Sequence, residues 1–201
     1  MRTHPVQLEL PSWGGRRAGA GRKRKGPLPL VSHKKRPAHS ARFPLHAVLR
    51  SAVAGLRRRE LFEAIQGALR AGSNRFGFRL IHFSVQGNHL HLIVEAVDQY
   101  ALTRGMQGLM VRIARAINRA SRRRGKVFAD HYFARELQTP AEVRRAVRYV
   151  LDNNMLHARA TPQTDPCASR APVASPRTWL LTIGWIRSRA GPLPVSAWAT
   201  F

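Results

Sequence analysis

A predicted β-hairpin at residues 78–97 constrains the fold of this chain more than any other feature. Residues 78–85 and 89–97 are rich in apolar, β-branched and aromatic side chains, and the Gln86-Gly87-Asn88 sequence between them is a turn signal. Residues two apart in a strand share a face, so His89 and His91 are expected to point to the same side. Two neutral imidazoles side by side form half of a site for a divalent metal. The alternative is a pair of half-buried strand histidines without a ligand.

The order of the elements around this hairpin predicts an α+β fold. Residues 45–53 are expected to form a first strand, and residues 58–72 an amphipathic helix. A long helix at residues 98–124 and a fourth strand at residues 132–138 follow the hairpin. This order is typical of a ferredoxin-like (RRM-like) antiparallel sheet with helices on one face.

A further helix is predicted to begin at residue 139. Thr139 can cap it, Pro140 fits its first position, and Glu142 completes a capping box. This helix is expected to extend to about residue 157 as an addition to the ferredoxin-like core. Its predicted buried stripe consists of Val143, Ala146, Val147, Val150 and Leu151.

Tyr149 and Asn153 lie on another side of this helix and, being four residues apart, share a face. If the helix packs beside the second hairpin strand, both residues meet His89 and His91. Two imidazoles and an amide oxygen could then hold a divalent ion that polarises a DNA phosphate, which the tyrosine oxygen attacks. On position alone, Tyr149 is equally well explained as a half-buried aromatic residue with its hydroxyl in water.

The charge of the chain indicates a polyanionic partner. Its formal net charge is +25, from 35 Lys and Arg against 10 Asp and Glu, which favours nucleic acid. The single cysteine, Cys167, excludes a disulfide framework. No run is long enough to cross a bilayer and no secretion signal follows Met1, so we expect no membrane partner and a cytoplasmic location in a prokaryote. A nuclear location is the alternative, because residues 22–25 also resemble a localisation patch.

Composition divides the chain into three predicted regions. Residues 1–41 are expected to be a flexible Gly-, Arg- and Lys-rich arm that contacts DNA, residues 42–158 a folded domain, and residues 159–201 a linker and tail. Within the tail, residues 179–186 could be one more helix or strand docked on the core. The predicted DNA-binding side chains are Arg16, Arg17, Arg22, Lys23, Arg24 and Lys25 in the arm, Arg112, Arg115 and Arg119 on the long helix, and Arg135.

Two motifs resemble those of the HUH single-tyrosine transposases, which are the insertion-sequence-200-like and REP-associated tyrosine transposases. The first is Gly-Asn-His-Leu-His-Leu-Ile-Val-Glu at residues 87–95 and the second is Arg-Tyr-Val-Leu-Asp-Asn at residues 148–153, with residues 128–135 also fitting between them. The resemblance covers residues 42–158. It implies that this region is a catalytic domain whose added helix, at 139–157, carries the nucleophile.

The resemblance also implies roles for individual residues. His89 and His91 would bind Mg²⁺ or Mn²⁺, Asn153 would be the third ligand, and Tyr149 would become linked to the 5′ phosphate of single-stranded DNA, often near a hairpin. The family includes monomers and dimers that exchange the tyrosine helix, so a homodimer and a monomer are both open. Many members have Asn-Pro after the tyrosine, where this chain has Asn154 in the second position.

Several assignments stay open. Asp152 could compete with Asn153 as a ligand, and His82 and Glu95 could support the site or be ordinary surface groups. His46 and His131 have no partner that the sequence identifies. Three alternatives to a transposase are a domesticated HUH endonuclease, a replication or conjugation initiator, and a non-catalytic RRM-like module. An initiator usually adds a helicase or primase segment, for which 201 residues leave no room. That module should expose base-stacking aromatics on its middle strands, where this chain has histidines and Phe83.

Overall fold

The folded domain is built on one antiparallel sheet that is covered on both faces. The computed structural model describes residues 38–128, 130–158 and 165–187, with the side chains of residues 153–158 left out of the description. The elements along the chain are β1 (Leu45–Arg50), α1 (Arg59–Ala71), β2 (Asn74–Arg75), β3 (Phe78–Val85), β4 (His89–Ala96), α2 (Gln99–Ala120), β5 (Phe133–Glu136), α3 (Pro140–Ala158), a π-helical turn (Leu180–Gly184) and α4 (Trp185–Arg187).

The strand order β2-β3-β4-β1-β5 confirms the predicted α+β, ferredoxin-like architecture. All four pairings are antiparallel, and the hairpin of β3 and β4 forms as predicted. The two-residue strand β2 was not anticipated. The long helix α2 ends at Ala120 rather than near residue 124, because Arg122 adopts a left-handed conformation (φ 49°) that stops the helix.

One face of the sheet is apolar and carries α1 and α2. On β4 it presents Leu90, Leu92 and Val94, all fully buried, which pack against the apolar stripes of both helices. The helix α2 approaches the sheet closely at Gly105, where a Cβ atom would overlap the ring of Phe78. This glycine therefore allows the long helix to lie flat on the sheet.

A β-bulge in β3 determines which side chains reach the other face. The register with β4 shifts between Leu80 and His82, so that Leu80 pairs with Val94 and His82 pairs with Ile93. An extra residue reverses the alternation of side chains beyond it. His82 and Ser84 therefore share a face with Ile93 and His91, while Phe83 enters the apolar core.

The second face carries α3, whose start confirms the predicted capping box. Glu142 N–H donates to Thr139 Oγ1 (3.2 Å), and Glu142 Oε2 accepts hydrogen bonds from the backbone N–H groups of Gln138 (2.8 Å) and Thr139 (3.3 Å). These backbone hydrogen bonds, Gln138 first, lower the pKa of Glu142. Four of the five predicted stripe residues of α3 are buried against Ile81, Ile93 and Leu137, and the fifth, Leu151, is half-buried beside them.

The described part of the segment after α3 packs against the domain. Residues 165–174 run along β3, where Ser169 N–H donates to Phe83 O (2.9 Å) and Val173 N–H donates to Ile81 O (2.8 Å). The segment thus covers the edge of β3 beyond the short strand β2, which would otherwise leave backbone groups unpaired. Composition alone predicts only a linker and tail over residues 159–201. No helix in the described part of the chain combines the length and hydropathy needed to span a bilayer.

Candidate active site

The second face of the sheet brings His89 and His91 together on β4. Their side chains lie two residues apart, and the Nε2 atoms of the two rings are 3.1 Å from each other. The ring centroids are 4.8 Å apart and the planes nearly perpendicular, at 86°. The two Nε2 atoms therefore face a common point beside the sheet, as the alternation of the strand predicted.

The remaining nitrogen of each ring has its own partner. His89 Nδ1 lies 2.9 Å from Asn88 Oδ1, and His91 Nδ1 lies 3.1 Å from His46 Nε2. An amide oxygen only accepts hydrogen bonds, so Asn88 holds the proton of His89 on Nδ1, in the tautomer whose Nε2 lone pair can bind a metal ion.

His46 belongs to this cluster, although the sequence analysis identified no partner for it. It lies on β1, where it pairs in register with Ile93 of β4, the residue two positions after His91. Its ring stacks on that of His91 at a centroid distance of 5.2 Å and an interplanar angle of 27°. The signal was present in the alternation of β1, which places His46 on the face opposite Leu45 and Ala47, but only the strand order makes β1 the neighbour of β4.

Burial keeps two of these rings neutral at neutral pH. It lowers the pKa of His91 to about 3, with further contributions from His46 and His89. Burial, followed by the positive charge of Arg135, lowers the pKa of His46 to about 4. A neutral imidazole is the form that binds a metal ion, so the environment favours the ligand form of His91.

Tyr149 projects from α3 over the histidine cluster. Its ring centroid lies 5.2 Å from that of His91 and 6.0 Å from that of His46, with edge-to-face angles of 82° and 72°. The side chain is 37% exposed, so one part contacts the imidazoles and the rest is open to solvent. A tyrosine and a histidine pair thus meet within one chain.

The donor atoms fit a divalent ion as far as the structure describes them. Two ligands at adjacent positions of an octahedral ion, each about 2.1 Å from it, are separated by roughly 3.0 Å, which matches the 3.1 Å between the Nε2 atoms. Among the described residues, no group of three or more His, Cys, Asp or Glu side chains forms a metal site. The predicted third ligand, Asn153, lies in α3 with its side chain outside the described residues.

The residues predicted as possible supports have other partners. His82 is buried and its Nδ1 lies 3.0 Å from Ser169 Oγ. The carboxylate of Glu95 accepts hydrogen bonds from Arg79 Nε (2.9 Å) and from the backbone of residues 177 and 178. Asp152 Oδ2 lies 3.8 Å from Arg148 Nε. None of these contacts involves His89 or His91.

The predicted DNA-binding arginines fall in three places. Arg135 lies on β5 opposite His46, beside the candidate site, and its Nη1 is 3.2 Å from Glu142 Oε1. Arg112, Arg115 and Arg119 lie on α2, which covers the opposite face of the sheet. The predicted arm residues lie outside the described residues: Arg16, Arg17, Arg22, Lys23, Arg24 and Lys25.

Comparison with known proteins identifies a family. The family model described as "Transposase IS200 like" matches residues 45–153, more than half of the chain, from β1 to the position of Asn153. A solved structure of a REP-associated tyrosine transposase bound to a REP hairpin is similar, at 13% sequence identity and a TM-score of 0.48, covering 65% of this chain and 76% of that one. A protein of Deinococcus radiodurans R1 assigned as a transposase is 16% identical with a TM-score of 0.42, covering 57% of this chain and 95% of that one. No curated protein matches the sequence.

Proposed function

Because the chain belongs to the IS200-like transposase family, we propose that it cleaves and rejoins single-stranded DNA through a covalent 5′-phosphotyrosine on Tyr149. The substrate class is single-stranded DNA next to a hairpin, and the place of action is the cytoplasm of a prokaryote. The observation that carries this proposal is the position of the Tyr149 ring, 5.2 Å from the ring of His91. A phenol and two converging imidazole Nε2 atoms are the groups that a metal-assisted attack on phosphate requires.

In this proposal Tyr149 is the nucleophile that exchanges one phosphodiester bond for another. Tyr149 Oη gives up its proton and attacks phosphorus, and the bond from phosphorus to the 3′ oxygen of the preceding nucleotide breaks. That oxygen takes up a proton and leaves as a free 3′ hydroxyl. The 5′ phosphate stays on Tyr149, so a second 3′ hydroxyl can attack it and release the phenol. No external energy is needed, because one phosphodiester is exchanged for another.

The ion would be Mg²⁺ or Mn²⁺, held by His89, His91 and Asn153, and when bound it would offset the charge that develops on the phosphate oxygens. Asn88 keeps the His89 ring in its ligand tautomer, and burial keeps His91 neutral. Arg135 stands beside His46 at the edge of the cluster and would contact the DNA backbone on its way to Tyr149. The arginines of α2 would contact a part of the DNA that passes the other side of the domain.

The burial of the sheet argues against an RRM-like binding module. Such a module reads bases with aromatic side chains on an open sheet face. Here Phe83 points into the apolar core and is 2% exposed, and α3 covers the face that carries the histidines. This sheet has no open face among the described residues on which bases could stack in that way.

The test is the capture of a covalent adduct. The full chain is incubated with Mn²⁺ and a pool of labelled single-stranded oligonucleotides that contain a hairpin and randomised flanks, and denaturing gels separate protein-linked DNA. We expect an adduct whose DNA-linked peptide contains Tyr149 and which Tyr149→Phe does not form. Tyr100→Phe is the matched control, because Tyr100 is an exposed tyrosine on α2. Binding of the pool without any adduct, or an adduct that Tyr149→Phe still forms, would refute the proposal.

A further inference from the structure

We propose that His46 is a positioning residue that holds His91 in the orientation and tautomer needed to bind the metal ion. This inference rests on the proposed function, in which His89 and His91 are ligands, but it assigns a role to a residue on a different strand. His46 would not touch the ion or the DNA. It would act through the hydrogen bond between its Nε2 atom and Nδ1 of His91, 3.1 Å apart.

The geometry of the three rings limits which nitrogen each proton can occupy when an ion is bound. His91 Nε2 faces His89 Nε2 across 3.1 Å, so this atom must carry a free lone pair if both rings are to share an ion. The proton of neutral His91 then sits on Nδ1, where an acceptor is needed. His46 Nε2 is the atom placed to accept it, which leaves the proton of His46 on its own Nδ1.

The two ligand histidines obtain this support in different ways. His89 stands at the start of β4 and uses the side chain of the preceding turn residue, Asn88. His91 is two residues further into the strand, where the turn no longer reaches, and it uses a side chain from the neighbouring strand β1. Each ligand ring therefore has one hydrogen-bonded support, which is the usual arrangement around metal-binding histidines.

The central position of β1 makes His46 a rigid support. This strand lies between β4 and β5, with His46 opposite Ile93 on one side and Arg135 on the other. Its ring is stacked on His91 at 5.2 Å and meets the edge of Tyr149 at 6.0 Å. A ring confined from these directions holds its Nε2 atom in place, so His91 cannot rotate without losing a hydrogen bond.

The experiment measures metal affinity directly, without DNA. Mn²⁺ is titrated into the metal-free full-length protein and free Mn²⁺ is followed by electron paramagnetic resonance. His46→Phe keeps a ring of similar size but removes the acceptor, and we expect Mn²⁺ affinity to fall about 10- to 100-fold. His46→Gln places an amide oxygen near the former Nε2 position, and we expect affinity within about threefold of the original.

A spectroscopic measurement separates positioning from a general loosening of the fold. Long-range ¹⁵N–¹H correlation spectra of the Mg²⁺-bound protein identify the ring proton of each histidine, and its exchange with water reports whether it is hydrogen-bonded. We expect the Nδ1 proton of His91 to be protected from exchange in the unmodified protein and in His46→Gln, and to exchange faster in His46→Phe. His39→Gln is the matched control, because it makes the same change from histidine to glutamine at another buried side chain. His39 contacts Glu136 and the far end of β4. It should leave both measurements unchanged.

The outcomes distinguish this inference from the proposed function. Unchanged Mn²⁺ affinity and unchanged exchange of the His91 Nδ1 proton in His46→Phe would overturn the role of His46. Loss of affinity in His46→Gln as large as in His46→Phe would also overturn it, because the acceptor would then not matter. His89→Ala is the reference: if it binds Mn²⁺ as tightly as the unmodified protein, the ion does not occupy the histidine pair and the metal step of the proposed function fails.

Discussion

The two faces of the sheet are stabilised by different means although they share the same strands. The face under α1 and α2 consists of apolar side chains such as Leu90, Leu92 and Val94, which need only matching volume. The face under α3 and the C-terminal segment combines a smaller apolar cluster with buried His82, His91 and Glu95. A buried polar group is tolerated only with specific partners, so this face depends on individual hydrogen bonds. The candidate active site lies on this second face, where the fold already provides partners for buried polar side chains.

Removing the carboxylate of Glu95 should have the largest effect on stability. This group is fully buried and accepts hydrogen bonds from Arg79 Nε, Arg177 N–H, Thr178 N–H and Thr178 Oγ1. We expect Glu95→Ala to lower the free energy of unfolding by about 3–5 kcal/mol, because Arg79 is left as an uncompensated buried charge. Urea denaturation measures this change.

A double variant tests the reason for that loss. Combining Glu95→Leu with Arg79→Met removes both charges, so we expect it to be less destabilised than Glu95→Ala alone. A double variant as unstable as Glu95→Ala would contradict this explanation. The hydrogen bonds from residues 177 and 178 to Glu95, rather than the charge on Arg79, would then determine the stability of this face.

Truncating adjacent residues of β4 compares the two faces directly. Leu92 and Ile93 are both fully buried, but Leu92 packs under α1 and α2 whereas Ile93 packs under α3. We expect each change to alanine to lower the free energy of unfolding by about 2–5 kcal/mol, through lost burial and a cavity. Only Ile93→Ala should also reduce covalent adduct formation in conditions where both variants are folded, because it loosens the helix that carries Tyr149. Equal adduct yields from the two variants would contradict the division between the faces.

Acid should weaken the second face through His82. Burial lowers the pKa of His82 to about 4, below the value near 6.5 of an unfolded chain. Between these values the unfolded chain binds a proton that the folded protein does not, so stability is lost as the pH falls from about 6.5 towards 4. At pH 5 the free energy of unfolding lost in this way, relative to neutral pH, is on the order of 2 kcal/mol. His46 and His91 change stability in the same direction, so the pH dependence of unfolding in His82→Gln should be shallower than in the unmodified protein but not flat. An identical pH dependence in the two proteins would show that His82 does not take part.

The smallest expected effect concerns the cap of α3. Thr139 Oγ1 accepts the N–H of Glu142, so Thr139→Ala should lower the free energy of unfolding by about 1 kcal/mol. Thr103→Ala provides the control, since Thr103 lies inside α2 and its hydroxyl donates to a carbonyl of its own helix, that of Gln99. A loss as large in Thr103→Ala as in Thr139→Ala would show that the cap has no special importance.

The sequence predicted the elements of the sheet because their signals are local. The alternation of residues 89–97 and the turn at 86–88 specified the hairpin, and the capping box specified the start of α3. The predictions for the segment after residue 158 were less complete. Residues 165–174 form no regular strand, and they are held by individual hydrogen bonds to the edge of β3, about ninety residues earlier in the chain, for which the local sequence carries no signal.

The position of the candidate site was also only partly predictable. Spacing placed His89 and His91 on one face and Tyr149 away from the buried stripe of its helix. His46 was missed because a single histidine in a strand carries no signal of its own, and its neighbour His91 is 45 residues away along the chain. The bulge in β3 was missed for a similar reason, since the extra residue is defined only by its pairing with β4.

The sequence by itself determined the hairpin, the capped helix, the shared face of His89 and His91 and the strong positive charge, because each follows from the spacing or number of residues within a short stretch. Only the tertiary structure decided that β1 lies between β4 and β5, that α3 crosses the face with the histidines, and that the segment after it closes the edge of β3. These arrangements depend on which distant surfaces bury apolar area and satisfy hydrogen bonds together, and no local pattern encodes that choice.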